Sequence, residues 1–295
     1  MDVSVLLAAD AAIGESPTWV AAEEAVYWID VKAPALHRLI LSSGMTRTWR
    51  LPADIGAFAL TRDRADAVVA LRSGLFRLGL RTGDLAPLAP PPFDPSLHRF
   101  NEGACDSRGR FWLGTMFDPL DRPDVPPEPA RLHSFTLGGG LRPQPDTAEL
   151  HNGMAWSPDE AIFYLAHSRR RTVFAFPFDV GDGKLGAPRP FVTTPPALGV
   201  PDGAAVDAEG GYWCALHGGW CLHRYRPDGR LDRTVRLPVS QPTMCAFAGR
   251  DLDLLIVTTA TDKLSAEQRA REPHAGSLLC LRTAIPGIPR HCTVG

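Results

Sequence analysis

Six pairs of short apolar runs, each pair split by a polar turn, recur along this sequence and limit what it can fold into. The first members of the pairs are 25–30 (AVYWID), 67–71 (AVVAL), 110–116 (RFWLGTM), 161–168 (AIFYLAHS), 211–216 (GYWCAL) and 253–259 (DLLIVTT). Equivalent positions recur at roughly 40 to 50 residues, the usual length of one four-stranded propeller blade. A sheet of that size cannot bury both faces alone, so it stacks on its neighbours. The repeat therefore predicts an all-β, six-bladed β-propeller spanning 1–295 as one domain.

Composition and charge narrow the classes of partner. The net charge is −2 and 44% of the residues are hydrophobic, which is typical of a soluble globular protein without a nucleic-acid or membrane-surface partner. No apolar run approaches the roughly 20 residues of a membrane span. Residues 1–12 lack a basic leader, and the six cysteines form no Cys-x-x-Cys pair. We therefore expect a cytoplasmic protein, monomeric or weakly self-associating, that acts on a small molecule.

Polar residues precede strands of the repeat in four segments, 14–17 (GESP), 99–103 (RFNEG), 151–154 (HNGM) and 201–203 (PDG). Taken singly, each has a plainer interpretation, because Asn-Gly and Asp-Gly are common turns and Glu15 could be a solvated loop residue. They recur, however, at the same point of several blades, and equivalent points of a closed propeller converge on its axis. Carboxylates and amides meeting there would be costly to bury without a cation. Ligation by oxygen alone suits a hard divalent metal.

Four longer stretches make the sequence resemble a known family. They are 13–19 (IGESPTW), 99–116 (RFNEGACDSRGRFWLGTM), 152–160 (NGMAWSPDE) and 201–213 (PDGAAVDAEGGYW). In this order they resemble the senescence marker protein-30 (regucalcin), gluconolactonase and sugar lactonase family. The resemblance implies a six-bladed propeller with one metal ion at its axis.

The resemblance also implies roles for individual residues. Glu15, Asn152 and Asp202 would bind the metal, and Asp202 would also act as the general base. Arg99 and Asn101 would contact the sugar. The chain reads Asn101-Glu102-Gly103 where family members commonly have Asn-Asp-Gly. Asp118 stands near the place of a substrate-binding Glu found in some members, so it is the expected substitute.

One further substrate contact is expected from position in the repeat. His217 follows the apolar run of the fifth blade, at what we interpret as the end of its inner strand. Histidines next to a pocket are more often structural or substrate-lining than metal ligands, and we assign His217 to substrate.

The expected function is metal-dependent hydrolysis of a sugar lactone to its aldonic acid. The metal would polarise the lactone carbonyl and lower the pKa of water. Ca²⁺ is favoured, while Zn²⁺, Mg²⁺, Mn²⁺ and Fe²⁺ remain open. Two alternatives also remain open, a paraoxonase-like esterase on the same scaffold and a calcium-binding propeller without turnover.

Overall fold

The computed structural model describes residues 2–120 and 124–295. Across these residues the strands form six sheets. Blade 1 contains β2 (Gly14–Val20), β3 (Ala25–Asp30), β4 (Ala35–Ile40) and β5 (Thr46–Arg50). Blade 2 contains β6 (Ile55–Thr61), β7 (Asp66–Leu71), β8 (Gly74–Gly79) and β9 (Leu85–Ala89). Blade 3 contains β10 (His98–Cys105), β11 (Phe111–Phe117), β12 (Ala130–Thr136) and β13 (Gly140–Ala148).

The other three sheets follow the same plan. Blade 4 contains β14 (His151–Trp156), β15 (Ile162–His167), β16 (Thr172–Asp179), β17 (Lys184–Leu185) and β18 (Arg189–Thr193). Blade 5 contains β19 (Val200–Val206), β20 (Tyr212–His217), β21 (Cys221–Tyr225) and β22 (Leu231–Arg236). Blade 6 contains β23 (Pro242–Ala248), β24 (Leu254–Thr259), β25 (Leu278–Arg282) and the N-terminal β1 (Ser4–Leu7). The single α-helix of the described residues, α1 (Ala266–Arg271), lies between β24 and β25.

The first strands of the blades form a closed ring. In order, β2, β6, β10, β14, β19 and β23 each pack against the next, and β23 packs against β2. The ring makes the molecule a six-bladed β-propeller, so the predicted fold class is confirmed. The repeated pairs of apolar runs are the second and third strands of each blade, and the ring strands precede them.

Burial explains the sequence pattern of the blades. Strands near the axis are covered on both faces by neighbouring blades, and β3, for example, is buried along its whole length. Such strands need continuous apolar runs, whereas the outermost strands are largely exposed and read as polar, as in β5. The apolar cores lie between adjacent blades; Tyr27 and Ile29 of blade 1 share one with Phe58 and Val69 of blade 2.

Two pairings far apart in sequence hold the chain termini. The N-terminal β1 is the outermost strand of blade 6, antiparallel to β25. The C-terminal β26 (Thr293–Val294) pairs in parallel with β6 of blade 2. No helix in the described part of the chain is both long and apolar enough to span a membrane. All six cysteines are free thiols, and four of them are buried.

Candidate metal and active centre

Every ring strand departs from regular pairing near its start. The register shifts at 15–18, 55–57, 100–102, 152–155, 201–204 and 242–244. A bulge turns side chains away from the regular alternation of a strand and is common beside active sites. Glu15, Asn101, Asn152 and Asp202 lie at four of these irregularities. The sequence predicts these polar residues directly before the inner strands. This placement was wrong, because they lie within the first four residues of the strands themselves.

Three buried carboxylates interact at the axis; we call Glu15, Glu102 and Asp202 the acidic cluster. Burial, reinforced by the charge of Glu102, raises the pKa of Glu15 to about 8. Burial raises the pKa of Asp202 well above its usual range, and the charges of Glu15 and Glu102 add to this. Burial also raises the pKa of Glu102 to about 7. Carboxylates whose charged forms are disfavoured to this extent attract a cation strongly.

Asn152 is oriented by a chain of hydrogen bonds. Its Nδ2 donates to Ser168 Oγ at 2.9 Å, and Ser168 Oγ in turn donates to the carbonyl of Pro201 at 2.7 Å. Because the serine hydroxyl has used its proton, the amide must present nitrogen to it. The Oδ1 atom then faces Asn101, whose Nδ2 donates to it at 2.6 Å. Asn152 therefore presents its Oδ1 atom towards Asn101 of the neighbouring inner strand.

Glu102 holds the bulge of the neighbouring blade. Its two carboxylate oxygens accept hydrogen bonds from the backbone N–H groups of Gly153 at 2.6 Å and Met154 at 2.7 Å. These residues directly follow Asn152, so Glu102 positions the segment that carries it. The sequence analysis treated Glu102 only as a departure from the family pattern. The available signal was its place one residue after Asn101, inside a segment that already carried site residues.

Ser16 places a buried hydroxyl without a partner among the described residues beside Glu15. Its backbone lies in the left-handed region at φ 53°, a conformation that is costly for a serine. Its N–H donates to Glu15 Oε2 at 3.0 Å, while its buried Oγ has no partner among the described residues. Buried polar atoms normally have partners. Two carboxylates, an amide oxygen and an unpaired hydroxyl are donors that fit a hard divalent cation.

Arg99 lies beside the acidic cluster with its guanidinium fixed on two sides. Nε donates to Asp118 Oδ2 at 2.9 Å, and Nη1 donates to Phe100 O at 2.9 Å and to Asn101 Oδ1 at 3.0 Å. For Nη2, the part of the chain that the structure describes provides no acceptor. The arrangement leaves one end of a rigid fork of donors free for a ligand.

Asp118 is the centre of an ion-pair network at the mouth of the channel. It contacts Arg72 and Lys32 in addition to Arg99, and Lys32 and Arg72 also contact Asp54, at 2.7 and 3.1 Å. The expectation that Asp118 binds substrate remains a prediction, but its observed contacts orient Arg99. Lys32, Arg72 and Asp54 were not identified from sequence, because they come from blades 1 and 2 and carry no motif.

We expect Asp118→Asn to destabilise the protein in a pH-dependent manner. Burial alone would raise the pKa of Asp118, but the charges of Arg99, Lys32 and Arg72 outweigh it and hold the pKa at about 2. A depressed carboxyl pKa stabilises the fold above the unfolded value and loses this contribution as the pH falls from about 4 to about 2. Allowing for partial exposure, the variant should lose about 1–2 kcal/mol of unfolding free energy at neutral pH.

Urea unfolding of both proteins between neutral pH and pH 3 would measure this difference. The gap between wild type and variant should narrow towards the acid end. The control is Asp228→Asn, which removes an exposed ion pair with Arg230 and should change stability by less than about 0.5 kcal/mol. A gap that stays constant with pH would contradict the proposed origin of the effect.

His217 lies at the mouth end of blade 5, on a different strand from the one expected. It ends β20, the second strand, and pairs with Val200 at the start of the ring strand β19. Our interpretation of that run as the inner strand was wrong, because the ring strand carries Asp202 and precedes it. Burial lowers the pKa of the His217 imidazole. His217 lies opposite Val200, two residues before Asp202 on the neighbouring strand. Its contact with substrate remains a prediction.

The other end of the channel is filled from the C-terminus. Arg290 donates from Nη1 to Pro17 O of blade 1 and from Nη2 to Gly103 O of blade 3, both at 3.3 Å. Its charge lowers the pKa values of Glu15 and Glu102, but burial outweighs it at both. Beside it lies a largely apolar cavity of about 300 Å³, lined by Trp156, Phe247 and Ile288 among others. This cavity is separate from the acidic cluster.

Comparison with known proteins identifies relatives over almost the whole chain. A family model described as "SMP-30/Gluconolactonase/LRE-like region" matches residues 13–261. A 6-deoxy-6-sulfogluconolactonase from Pseudomonas putida is 36% identical over 93% of this chain and 92% of its own length. Regucalcin from Gallus gallus is 29% identical over 96% of this chain and 95% of its own. The resemblance inferred from the four sequence stretches is confirmed.

A solved structure agrees with both the fold and the family. A calcium-binding protein, regucalcin, from Agrobacterium tumefaciens superposes with a TM-score of 0.88 at 27% identity. The match covers 98% of this chain and 96% of that structure. The six-bladed fold is therefore shared over almost the whole chain with a protein described as calcium-binding.

Proposed function

Because the chain belongs to the SMP-30/gluconolactonase/LRE-like family, we propose that it hydrolyses a sugar lactone at the acidic cluster. Glu15, Asn152 and Asp202 would hold one divalent cation there. Ca²⁺ is favoured because all three donors are oxygens and the similar regucalcin structure is described as a calcium-binding protein. The relatives named above support this activity, since one of them is named as a lactonase acting on a gluconolactone derivative. The product would be the corresponding aldonic acid.

One observation carries the proposal. Three buried carboxylates share one site, and the pKa values of all three are raised chiefly because burial disfavours their charged forms. A protein gains nothing in stability from such a cluster, since each buried charge opposes folding. The cluster becomes favourable when a cation occupies it, and with Ser16 Oγ unpaired beside it the donors suit a metal.

A cation held by Glu15, Asn152 and Asp202 would supply Lewis-acid polarisation of the lactone carbonyl and favour ionisation of water. The protein's own groups do the rest. Asp202 would accept a proton from the attacking water as the water oxygen bonds to the carbonyl carbon. The ring C–O bond then breaks, and the leaving oxygen takes this proton back from Asp202 to become the hydroxyl of the aldonic acid.

Arg99 and Asn101 would fix the lactone against the cluster. The free Nη2 donor of Arg99 lies on a guanidinium already held by Asp118 and Asn101, so little entropy is lost when it binds a sugar or carbonyl oxygen. A donor that is rigid before the reaction also stabilises negative charge developing on the carbonyl oxygen. Asp118 acts here as a positioning residue for Arg99.

A lactone panel run on metal-stripped protein tests the proposal. Hydrolysis is followed by pH-stat, with the spontaneous rate subtracted, after restoring Ca²⁺, Zn²⁺, Mg²⁺, Mn²⁺ or Fe²⁺ in turn. We expect stripping to reduce kcat/KM by at least about 100-fold and one or more metals to restore it. Neutral aldonolactones, a 6-sulfonated lactone and an aryl ester are compared. Faster turnover of the aryl ester would indicate the esterase, and metal binding without any turnover would indicate a non-catalytic calcium-binding propeller.

A further inference from the structure

Two imidazole rings and a carboxylate meet between blades 3 and 4, outside the acidic cluster. Asp146 lies in β13, His151 begins β14 and His167 ends β15. Asp146 Oδ2 is 2.8 Å from His167 Nε2 and 3.2 Å from His151 Nε2. One ligand-type atom from each of the three residues lies within 4.8 Å of the other two. Both rings are buried, so the three groups converge in an environment of low polarity.

One tautomer of neutral His151 leaves its contact with Asp146 without a proton. The Nδ1 atom lies 3.0 Å from the carbonyl oxygen of Thr115, which can only accept a hydrogen bond, and 3.4 Å from the Thr115 backbone nitrogen, whose N–H can only donate one. In the tautomer that uses the shorter contact, the proton is on Nδ1, and Nε2 directs a lone pair at the carboxylate of Asp146. Two lone pairs at 3.2 Å repel each other. A cation between them turns this repulsion into two coordinate bonds.

We propose that Asp146, His151 and His167 form a second metal site that binds one Zn²⁺ or a similar divalent transition metal ion. Two imidazole nitrogens and one carboxylate oxygen are a donor set that zinc uses, and they are softer than the oxygens at the axis. Tetrahedral bonds of about 2.0–2.1 Å place ligand atoms roughly 3.3 Å apart. The two distances to Asp146 Oδ2 are slightly shorter, and all three ligand atoms lie within 4.8 Å of one another, so binding requires only shifts of the side chains.

The surroundings supply what such a site needs. The Thr115 carbonyl accepts from the ring nitrogen of His151 that faces away from the metal, as the outer partners of zinc ligands commonly do. A cavity of about 100 Å³ is lined by His167, Thr147, Glu149 and Arg170 among others. Of the three proposed ligands, His167 lines this cavity, so water can approach the site from the side of His167. The Nδ1 atom of His167 is buried with no partner among the described residues.

An ion at this site would join two blades. It would link the outermost strand of blade 3 to the first two strands of blade 4. One of its ligands, His151, directly precedes Asn152. Because metal binds the folded form only, its addition should raise Tm in a concentration-dependent manner. The inference is independent of lactone hydrolysis, since its readouts are metal content, spectra and Tm.

The experiment uses the full chain, stripped with a chelator and reloaded with Co²⁺ or Zn²⁺ alone. Wild type should show the strong visible absorption of four-coordinate Co²⁺ with nitrogen ligands. It should also retain one more equivalent of Zn²⁺ by elemental analysis than His167→Phe or Asp146→Ala. The matched control is His223→Phe, which replaces a buried histidine of blade 5 and should retain the wild-type metal content.

Two results would overturn the inference. Equal zinc content in wild type and a folded His167→Phe variant would show that the site binds nothing. Where neither variant folds, the wild-type cobalt spectrum decides, because the axial oxygens alone give only weak absorption. A weak spectrum would mean that hydrogen bonds, and not a metal, hold the three groups together.

Discussion

Asp202→Asn should lower kcat for lactone hydrolysis by about 1,000-fold at saturating metal, the largest loss of activity we expect from one substitution. The amide keeps the size of the side chain and an oxygen donor, so a metal can still bind. It removes the carboxylate that accepts the proton from water. Steady-state kinetics on the best lactone, measured over a range of metal concentrations, give the size of the loss.

Glu15→Gln is the matched variant, because it changes a carboxylate of the same cluster that is assigned no proton transfer. We expect it to weaken metal binding but to recover most of kcat when metal is in excess. Asp202→Asn should not recover. If both variants recover equally, or neither loses activity, Asp202 is not the general base.

The stability of the metal-free variants tests the charge balance at the axis. A carboxyl whose pKa is raised by folding opposes folding at pH values above its normal pKa. The pKa of Asp202 is raised by burial and by the neighbouring carboxylates. Stripped Asp202→Asn should therefore melt at the same temperature as stripped wild type or higher, although it is far less active. A large decrease in Tm would indicate a structural role instead.

Gly56→Ala should cause the largest loss of stability. Gly56 lies at the bulge of β6, where a Cβ atom would press into the Phe100 carbonyl and lie 2.7 Å from the Asn101 nitrogen. These are backbone atoms of the adjacent ring strand and cannot rotate away. We expect a loss of at least about 3 kcal/mol, at the upper end for overpacking, together with lower activity because Asn101 is displaced. Urea unfolding and Tm give the stability change.

Gly138→Ala is the control for this effect. Its added Cβ would meet nothing within 4 Å, and it lies on an exposed turn. Its stability should stay within about 0.5 kcal/mol of wild type. If Gly56→Ala is equally mild, the ring of inner strands is looser than the structure indicates.

The sequence predicted the blades because their second and third strands are enclosed by protein. Strands such as β3 are buried along their length, and an uninterrupted apolar run at a regular spacing is visible without a structure. The ring strands were harder to place, since bulges and polar residues interrupt their pattern. That is why Asn152 and Asp202 were expected before strands that in fact contain them.

The site residues differ in how far sequence could identify them. Asp202 and Asn152 stand in recognisable motifs at a repeated phase. Lys32 and Arg72 belong to the ion-pair network at the channel mouth because blades 1 and 2 place them against Asp118. No local sequence pattern encodes a contact between residues so far apart in the chain. Arg290 reaches the axis from the C-terminal segment for the same reason.

The pairing of β1 with β25 sets an order of events during synthesis. Residues 4–7 leave the ribosome long before their partner strand at 278–282 is made. Until then the first strand has no place to dock, and the growing array of blades stays an open arc with an uncovered apolar sheet face at each end. Such surfaces readily associate with other chains. Native structure at the axis, where blades 1 and 6 meet, must therefore wait until blade 6 has left the ribosome.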